Sequence, residues 1–482
     1  MRALDSAREQ LELGVECARQ GRLEDAVACF RRAVELDPKC AEAHSNLGNA
    51  LREQGRPEEA LLHLNRALEC KPDLPEARLN LAVVLEERGE LEEAAALLEE
   101  FLRCHSSHAL ALNNLGSVLK KLGRLEEARR RLEDSLAQEP QFAQAHNNLG
   151  AVLEQLGLWD QAEGCYREAL RWNPHSADAH LNLAMVRLLR GDFERGWPEY
   201  EWRWKLSGTR PRDCGRPMWD GSPLEGRTIL LQAEQGLGDT LHYVRFAELV
   251  QARGGRVVLE CPPRLVELLR TVPGAERVIS YHDPLPPCEV CAPVASLPGI
   301  FRTTLATIPN RVPYLSVASE LVEAARRRIG ECEGRRKIGL VWAGSPWNKN
   351  DRNRSIRLEL FSPFAQVSGV AWFSLQRGPQ AAELWSAPPG LALTNLERER
   401  GSLTETAAAI SCLDLVIAVD TMIAHLAGAL GRPIWVLQPF APDYRWLLER
   451  EDSPWYPTMR LFRQPAPGQW QPVVERIIKE LR

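Results

Sequence analysis

The sequence predicts an α-helical solenoid through Lys205 and, beyond a linker, two α/β units with parallel sheets. Three observations carry this fold class. Small residues recur at a step of 34 through the first part of the chain. At Thr228 the apolar pattern changes from a helical to a strand-like period. Near the end, Leu413 to Pro439 reads LDLVIAVDTMIAHLAGALGRPIWVLQP. There Leu415–Val419 is a buried strand and Asp420-Thr421 stands at a helix start. Gly428 and Gly431 bracket the helix end, Pro433 forbids its continuation, and Ile434–Leu437 is the next strand. A helix start at the carboxyl edge of a parallel sheet offers unpaired N–H groups and a positive dipole end, so an anion such as a nucleoside diphosphate is the natural guest.

Composition narrows the rest. A chain of 482 residues holds two or three domains, and 44% hydrophobic with 26% charged residues describes ordinary water-exposed protein. No run of about 18 uninterrupted apolar residues occurs and the N-terminus lacks an apolar leader core, so the expectation is a cytoplasmic protein without a membrane span. Twelve Cys scattered along the chain read as reduced, buried thiols; Cys288 and Cys291 form the one CxxC, with no second pair at zinc spacing, and no metal is expected. Up to Lys205 there are 27 Lys and Arg against 36 Asp and Glu, and beyond it 33 against 29. The acidic arm argues against a nucleic-acid surface, while the basic remainder is compatible with an anionic ligand.

The repeat is explicit. Gly14, Gly48, Ala82, Gly116, Gly150 and Ala184 are spaced by 34, and so are Gly21, Gly55, Gly89, Gly123, Gly157 and Gly191. Ala26, Ala60, Ala94, Ala128 and Ala162 keep the same step, and Pro38, Pro72, Pro140 and Pro174 close four repeats. A small residue in the first helix, Gly at the turn and Ala where the second helix packs specify a helix hairpin that buries its apolar face by stacking on its neighbours. The pattern resembles the tetratricopeptide repeat, with six pairs and the last degenerate after Gly191. Asn46, Asn80, Asn114, Asn148 and Asn182 form a further row at this step. On first helices, which line the concave face of such arms, a ladder of amides suits the backbone of an extended peptide; the row also reads as simple repeat consensus. It resembles the asparagine ladder of the O-linked N-acetylglucosamine transferases.

Past Gly191, Trp197, Tyr200 and Trp204 fall on one helical face, which reads as docking or core packing rather than a ligand box. Residues 206–225 then read as a linker. In the first α/β unit, 226–316, the strand TILLQAE is followed by GLGDT, where Gly236 and Gly238 allow tight turning and Asp239 starts a helix from Thr240 to Arg253. The strands RVVLEC, RVISY and CEVCAPVASLP complete a unit that is short for a full Rossmann-like domain. A helix from Val317 to Arg328 bridges to the second unit, 335–482, which opens with a strand from Lys337 to Trp342 and the polar loop GSPWNKNDRNRS. Gly344 and Ser345 open that loop, and Lys349, Arg352 and Arg354 bunch within it as phosphate-binding candidates; a solvated charged loop is the plain alternative. Gln376 ends the next strand, VAWFSLQ, and a C-terminal helix, Val473 to Leu481, is long enough to cross back.

Gly-Asp after the first strand, together with Asp-Thr-x-x-x-His-Leu-Ala-x-Ala-Leu-Gly-x-Pro from Asp420 to Pro433, resembles glycosyltransferase family 9 over roughly Thr228 to Gln464. That family includes the lipopolysaccharide heptosyltransferases and has the GT-B fold, a pair of Rossmann-like domains. The resemblance implies sugar transfer from a nucleoside-diphosphate donor to a hydroxyl, inverting and independent of metal or other cofactor, with Asp239 as the base. It implies donor contacts from Gly238, Gly344, Ser345, Lys349, Arg352, Arg354, Gln376, Asp420, Thr421, Met422 and His425, with Lys349 and Arg354 competing to be the basic residue that holds the diphosphate. Met422 departs from the small residue usual after Asp-Thr. Repeats followed by GT-B parallel the O-linked N-acetylglucosamine transferases in layout, so the arm is expected to recruit a protein or glycan acceptor. A scaffold that keeps the fold without turnover is the alternative.

Overall fold

The computed structural model describes residues 2–206, 212–332, 334–348, 350–397 and 401–482. The chain divides into two compact units, Met1–Ser176 and Ala177–Arg482.

The first unit is five helix hairpins: α1 Arg2–Arg19 with α2 Leu23–Leu36, α3 Ala41–Glu53 with α4 Pro57–Cys70, α5 Pro75–Arg88 with α6 Leu91–Cys104, α7 Ala109–Leu122 with α8 Leu125–Gln138, and α9 Ala143–Gln155 with α10 Trp159–Trp172. Each row of the repeat has a physical reason. The turn glycines from Gly21 to Gly157 all have φ between 73° and 83°, which L side chains rarely adopt. A Cβ on Gly48 would lie 2.6 Å from Leu64 and one on Gly116 2.5 Å from Leu132, so the first helix must be bare where the second helix leans on it. The Ala row is fully buried at every position.

The second unit begins with a sixth hairpin, α11 Ala177–Leu189 and α12 Phe193–Tyr200, continued by a 3-10 turn at Glu201–Lys205. Because α12 ends at Tyr200, Trp197 and Tyr200 are buried together whereas Trp204 turns away and donates to Glu201 Oε2 at 2.9 Å. The first sheet follows: β1 Thr228–Gln232, α13 Leu237–Tyr243, α14 Ala247–Ala252, β2 Arg256–Cys261, α15 Val266–Leu269, β3 Ala275–Ser280, β4 Val290–Pro293 and α16 Leu297–Ile300. The expected helix from Thr240 starts three residues earlier, because Gly236 is its N-cap and Asp239 closes a capping box on it. It then breaks into a 3-10 turn at Val244–Phe246, where the His242 carbonyl accepts from the buried Arg245 guanidinium at 2.8 Å.

After α17 Ser319–Ile329 comes the second sheet: β5 Arg336–Val341, α18 Asp351–Arg354, β6 Val370–Ser374, β7 Leu393–Asn395, α19 Leu403–Ser411, β8 Leu415–Val419, α20 Met422–Ala429, β9 Ile434–Gln438, β10 Met459–Arg463 and α21 Gln471–Leu481. Strand orders are β3-β2-β1-β4 and β7-β6-β5-β8-β9-β10, and every pair is parallel. Helix α21, expected to cross back, instead buries Val473, Val474, Ile477 and Ile478 in the core of the second sheet with Ile338, Leu340 and Ile417. No described helix is long and apolar enough to cross a membrane.

Candidate functional site

In each sheet the chain reverses its direction of travel once, between β1 and β4 and between β5 and β8. Outside the carboxyl ends of strands at such a point, open parallel sheets leave a crevice where ligands bind. Several residues singled out in the sequence follow the strands at these two points: Gly238 and Asp239 after β1, Gly344 and Ser345 after β5, and Asp420 to His425 after β8.

At the second point, β8 ends on Val419, Asp420 follows it and Thr421 is the N-cap of α20. The Arg354 guanidinium donates from Nη1 to the Asp420 carbonyl at 3.0 Å and from Nε to Asp351 Oδ1 at 3.2 Å. It lies so close over the β5 loop that a Cβ on Gly344 would be 2.5 Å from its Nη2. Burial, then the neighbouring Asp443 charge, pushes the Asp420 carboxyl up to about 6, against the hydrogen bond from Trp446 Nε1 at 2.9 Å. Of the expected trio of cations, the two that are described point to different surroundings. The stretch Asp351–Arg354 is one helical turn rather than an extended loop, which sends Arg354 inward and leaves Arg352 exposed. Lys349 lies outside the described residues. Ser345 is exposed beside the loop. Gln376 is buried and its amide is fully used: it accepts from Trp342 N at 3.0 Å and Ala343 N at 2.9 Å, and donates to the Ala343 and Arg377 carbonyls. It braces the β5 and β6 loops, leaving no free donor for a ligand.

Helix α13 of the first sheet and α20 of the second meet at their N-terminal turns. A Cβ on Gly238 would lie 3.0 Å from His425 Cδ2 and 3.4 Å from Met422 Cα. That corrects the reason expected for the glycines: Gly236 has φ −63° and Gly238 sits inside the first turn of α13, so neither makes a left-handed turn, and Gly238 is bare to let α20 approach. Asp239, on the same turn, accepts from Gly236 N at 3.1 Å with Oδ2 and from Arg445 Nη2 at 2.5 Å with Oδ1. Arg445 also holds Asp443 Oδ1 at 2.9 Å and lies 4.7 Å from the Tyr444 ring centre, so one buried guanidinium ties the candidate base to the loop after β9.

Behind this contact, His425 Nδ1 and His242 Nδ1 lie 3.0 Å and 3.2 Å from the same Tyr456 hydroxyl. Burial, then the Arg445 and Arg245 guanidiniums, hold the His425 imidazole well below its ordinary range, so it is neutral and serves as a hydrogen-bonding group stacked on Trp446. Sequence reading missed Arg445, Asp443, Trp446 and Tyr456. The signal was present as APDYRW, acid, base and aromatics on the loop just beyond a strand's carboxyl end.

In the first unit, Asn114 is buried, Asn46, Asn80 and Asn148 are half-buried, and part of the row is tied to itself. Asn148 Nδ2 donates to Asn113 Oδ1 at 2.9 Å, and Asn113 donates on to Asn114 at 3.2 Å. Asn182 belongs to the second unit. Among the described residues no group of three or more His, Cys, Asp or Glu is arranged to hold a metal. Burial, then Cys214 beside it, pushes the Cys291 thiol up to about 12, and all twelve cysteines are free.

Comparison with known proteins defines the first part of the chain as tetratricopeptide repeats. The tetratricopeptide-repeat families match residues 11–75, 51–113, 116–157 and 143–176. The protein FlbA of Caulobacter vibrioides is 27% identical over 323 residues, covering 62% of this chain and 54% of FlbA. The match is longer than the repeats alone, and the chain spans about half the length of this relative. A thermophilic repeat protein of Thermus thermophilus is 26% identical over 38% of this chain and 99% of its own, with a TM-score of 0.35. The repeat protein YrrB, described as having an unusual peptide-binding site, is 22% identical over 35% of this chain and 88% of its own, with a TM-score of 0.29.

Proposed function

We propose that the α/β unit is a GT-B glycosyltransferase similar to family 9, moving a sugar from a nucleoside diphosphate to a hydroxyl, and that the repeat arm recruits the protein or glycan that carries the hydroxyl. The observation that supports this most is the contact of α13 with α20. It puts the candidate base and the Asp-Thr-x-x-x-His helix on opposing turns with only the missing Cβ of Gly238 between them. In this reading Asp239 takes the acceptor proton as the hydroxyl oxygen bonds to the anomeric carbon and the bond from that carbon to the diphosphate oxygen breaks. Arg354 and the N–H groups at the start of α20 face the charge that develops on the leaving diphosphate. Attack opposite the leaving group inverts the anomeric carbon.

One observation favours the alternative of a binding scaffold without turnover. Each Asp239 oxygen already accepts a hydrogen bond, one from Arg445, although each keeps a further lone pair for an acceptor hydroxyl. Incubation of the full chain with UDP-, GDP-, ADP- and dTDP-hexoses separates the two. A rise in melting temperature together with nucleoside diphosphate release is expected for the transferase; a rise without release selects the scaffold, and neither effect with any donor sinks both.

A further inference from the structure

The crevice of the first sheet is not open. The turn after α12 sits at its mouth, reaching both strand ends that define it. Arg203 Nη2 donates to Ser296 Oγ, just beyond β4, at 2.6 Å and pairs with Glu234 Oε1, just beyond β1, at 3.5 Å. Ser296 Oγ in turn donates to Glu201 Oε2 at 2.9 Å, Glu201 pairs with Arg203, and Gln235 Nε2 donates to Tyr200 OH at 2.7 Å. Trp197 Nε1 completes the seal on the Thr303 carbonyl at 2.9 Å. The Arg203 and Glu234 side chains are only 5% and 2% exposed, and Glu234 Oε2 has no hydrogen-bond partner.

A buried carboxylate with an unmet oxygen is costly unless a charge and hydrogen bonds hold it. Here burial pushes the Glu234 carboxyl up to about 7 despite the Arg203 charge, so the guanidinium and the Ala295 N–H at 3.3 Å are what keep it ionised at all. Glu234 begins the short loop Glu234–Gly236 that leads directly into Asp239, whose capping bond returns to Gly236 N. The direction of the first turn of α13 is therefore set from two sides, by Arg445 on Asp239 and by Arg203 on Glu234.

We propose that Arg203 is a positioning residue for transfer: its Nη2, shared between Glu234 and Ser296, fixes the loop that aims Asp239, which makes the last turn of the sixth repeat part of the transfer site. The proposal rests on Asp239 being the base. A planar fork can serve Ser296 and Glu234 from Nη2 and Glu201 from Nη1 at once, which an ammonium point charge does poorly.

The test uses full-length Arg203→Met, Arg203→Lys, Glu234→Gln and Asp239→Asn variants with whichever UDP-, GDP-, ADP- or dTDP-hexose the wild type turns over. Expected are a tenfold or greater fall in kcat for Arg203→Met with donor KM within twofold, partial recovery in Arg203→Lys, and a smaller loss when Arg203→Met is made on the Glu234→Gln background, because the buried acid that depended on the guanidinium is already gone. Hydrogen exchange gives a readout independent of turnover: amides of Gly236–Thr240 should exchange at least tenfold faster in Arg203→Met while those of Val257–Glu260 on β2 do not. Unchanged exchange in Gly236–Thr240 overturns the proposal, as does a lowered melting temperature with kcat intact. Full activity in Asp239→Asn sinks the reading of the base instead, whereas an inactive Asp239→Asn beside a fully active Arg203→Met sinks the positioning role alone.

Discussion

The two sheets have the same strand logic and opposite fates at the point where it reverses. At β1/β4 the crevice is filled from within the chain by Arg203, Glu201 and Trp197, whose hydrogen bonds are made to the protein. At β5/β8 the corresponding ground holds Arg354 against Asp420, with Thr421 and Met422 half-buried and Ser345 exposed. Topology therefore supplies two equivalent positions; side chains close the first, and under the proposed function the second is the one that takes the donor. In the proposed transferase the first sheet would contribute through the turn beside its plugged crevice, where Asp239 stands.

The sharpest way to break this asymmetry is Asp239→Asn. Loss of the proton acceptor should lower transfer by about a hundredfold or more, leaving donor affinity near wild type, as measured by initial rates and by calorimetric titration of the donor. Next in size is Arg354→Met, which removes the guanidinium over Gly344 and from the Asp420 carbonyl. Donor Kd should rise tenfold or more, in line with roughly 1.5–3 kcal/mol for a charge-assisted hydrogen bond, and the melting temperature without donor should fall because the bonds to the Asp420 carbonyl and Asp351 are lost. An unchanged Kd would assign the second crevice to structure as well.

A third variant sharpens the contrast with the repeats. Asn148→Ala should cost the first unit about 1 kcal/mol, the worth of its bond to Asn113, read from denaturant unfolding, because this amide is partly committed to the arm itself. The smallest effect concerns pH. The Asp420 carboxyl lies above its unfolded value, so the folded protein takes up this proton first, and its contribution to stability grows as pH falls from about 6 toward the ordinary carboxylate range. The buried His242 and His425 lie below their unfolded values and work in the other direction, losing stability as pH falls below the usual imidazole range. Asp420→Asn removes the compensating group, so its melting temperature should fall more steeply between pH 7 and pH 4.5 than that of the wild type.

The repeats were legible because each position in them answers a local demand: a positive φ at Gly55, a bare helix face at Gly48, a buried methyl at Ala60. The strands of both sheets were legible for a similar reason, since runs such as Leu415–Val419 are buried on both faces. Gly238 and Asp239 drew attention for their motif, yet the reason for Gly238 lay in α20, nearly two hundred positions away, where no window of sequence reaches. Arg445 and Arg203 were missed because their roles come from tertiary partners, Asp239 and Ser296; the APDYRW run marks Arg445 as notable without saying what it holds. Gln376, expected to meet a ligand, is absorbed by four backbone contacts that only the fold reveals.

The turn glycines carry a consequence for how such a chain can change over generations. Because Gly21 through Gly157 impose the same backbone angle at a constant step, a whole hairpin inserted or deleted among the first five leaves every remaining junction geometrically unaltered, and reach can be tuned by duplication. The sixth hairpin has no such freedom. It is wired by Trp197 to the Thr303 carbonyl and, through the turn that follows, by Arg203 to the strand ends of the first sheet, so an exchange there would have to be matched by new partners for Glu234 and Ser296. Variation in arm length among related chains should therefore accumulate before Ser176 and stop there.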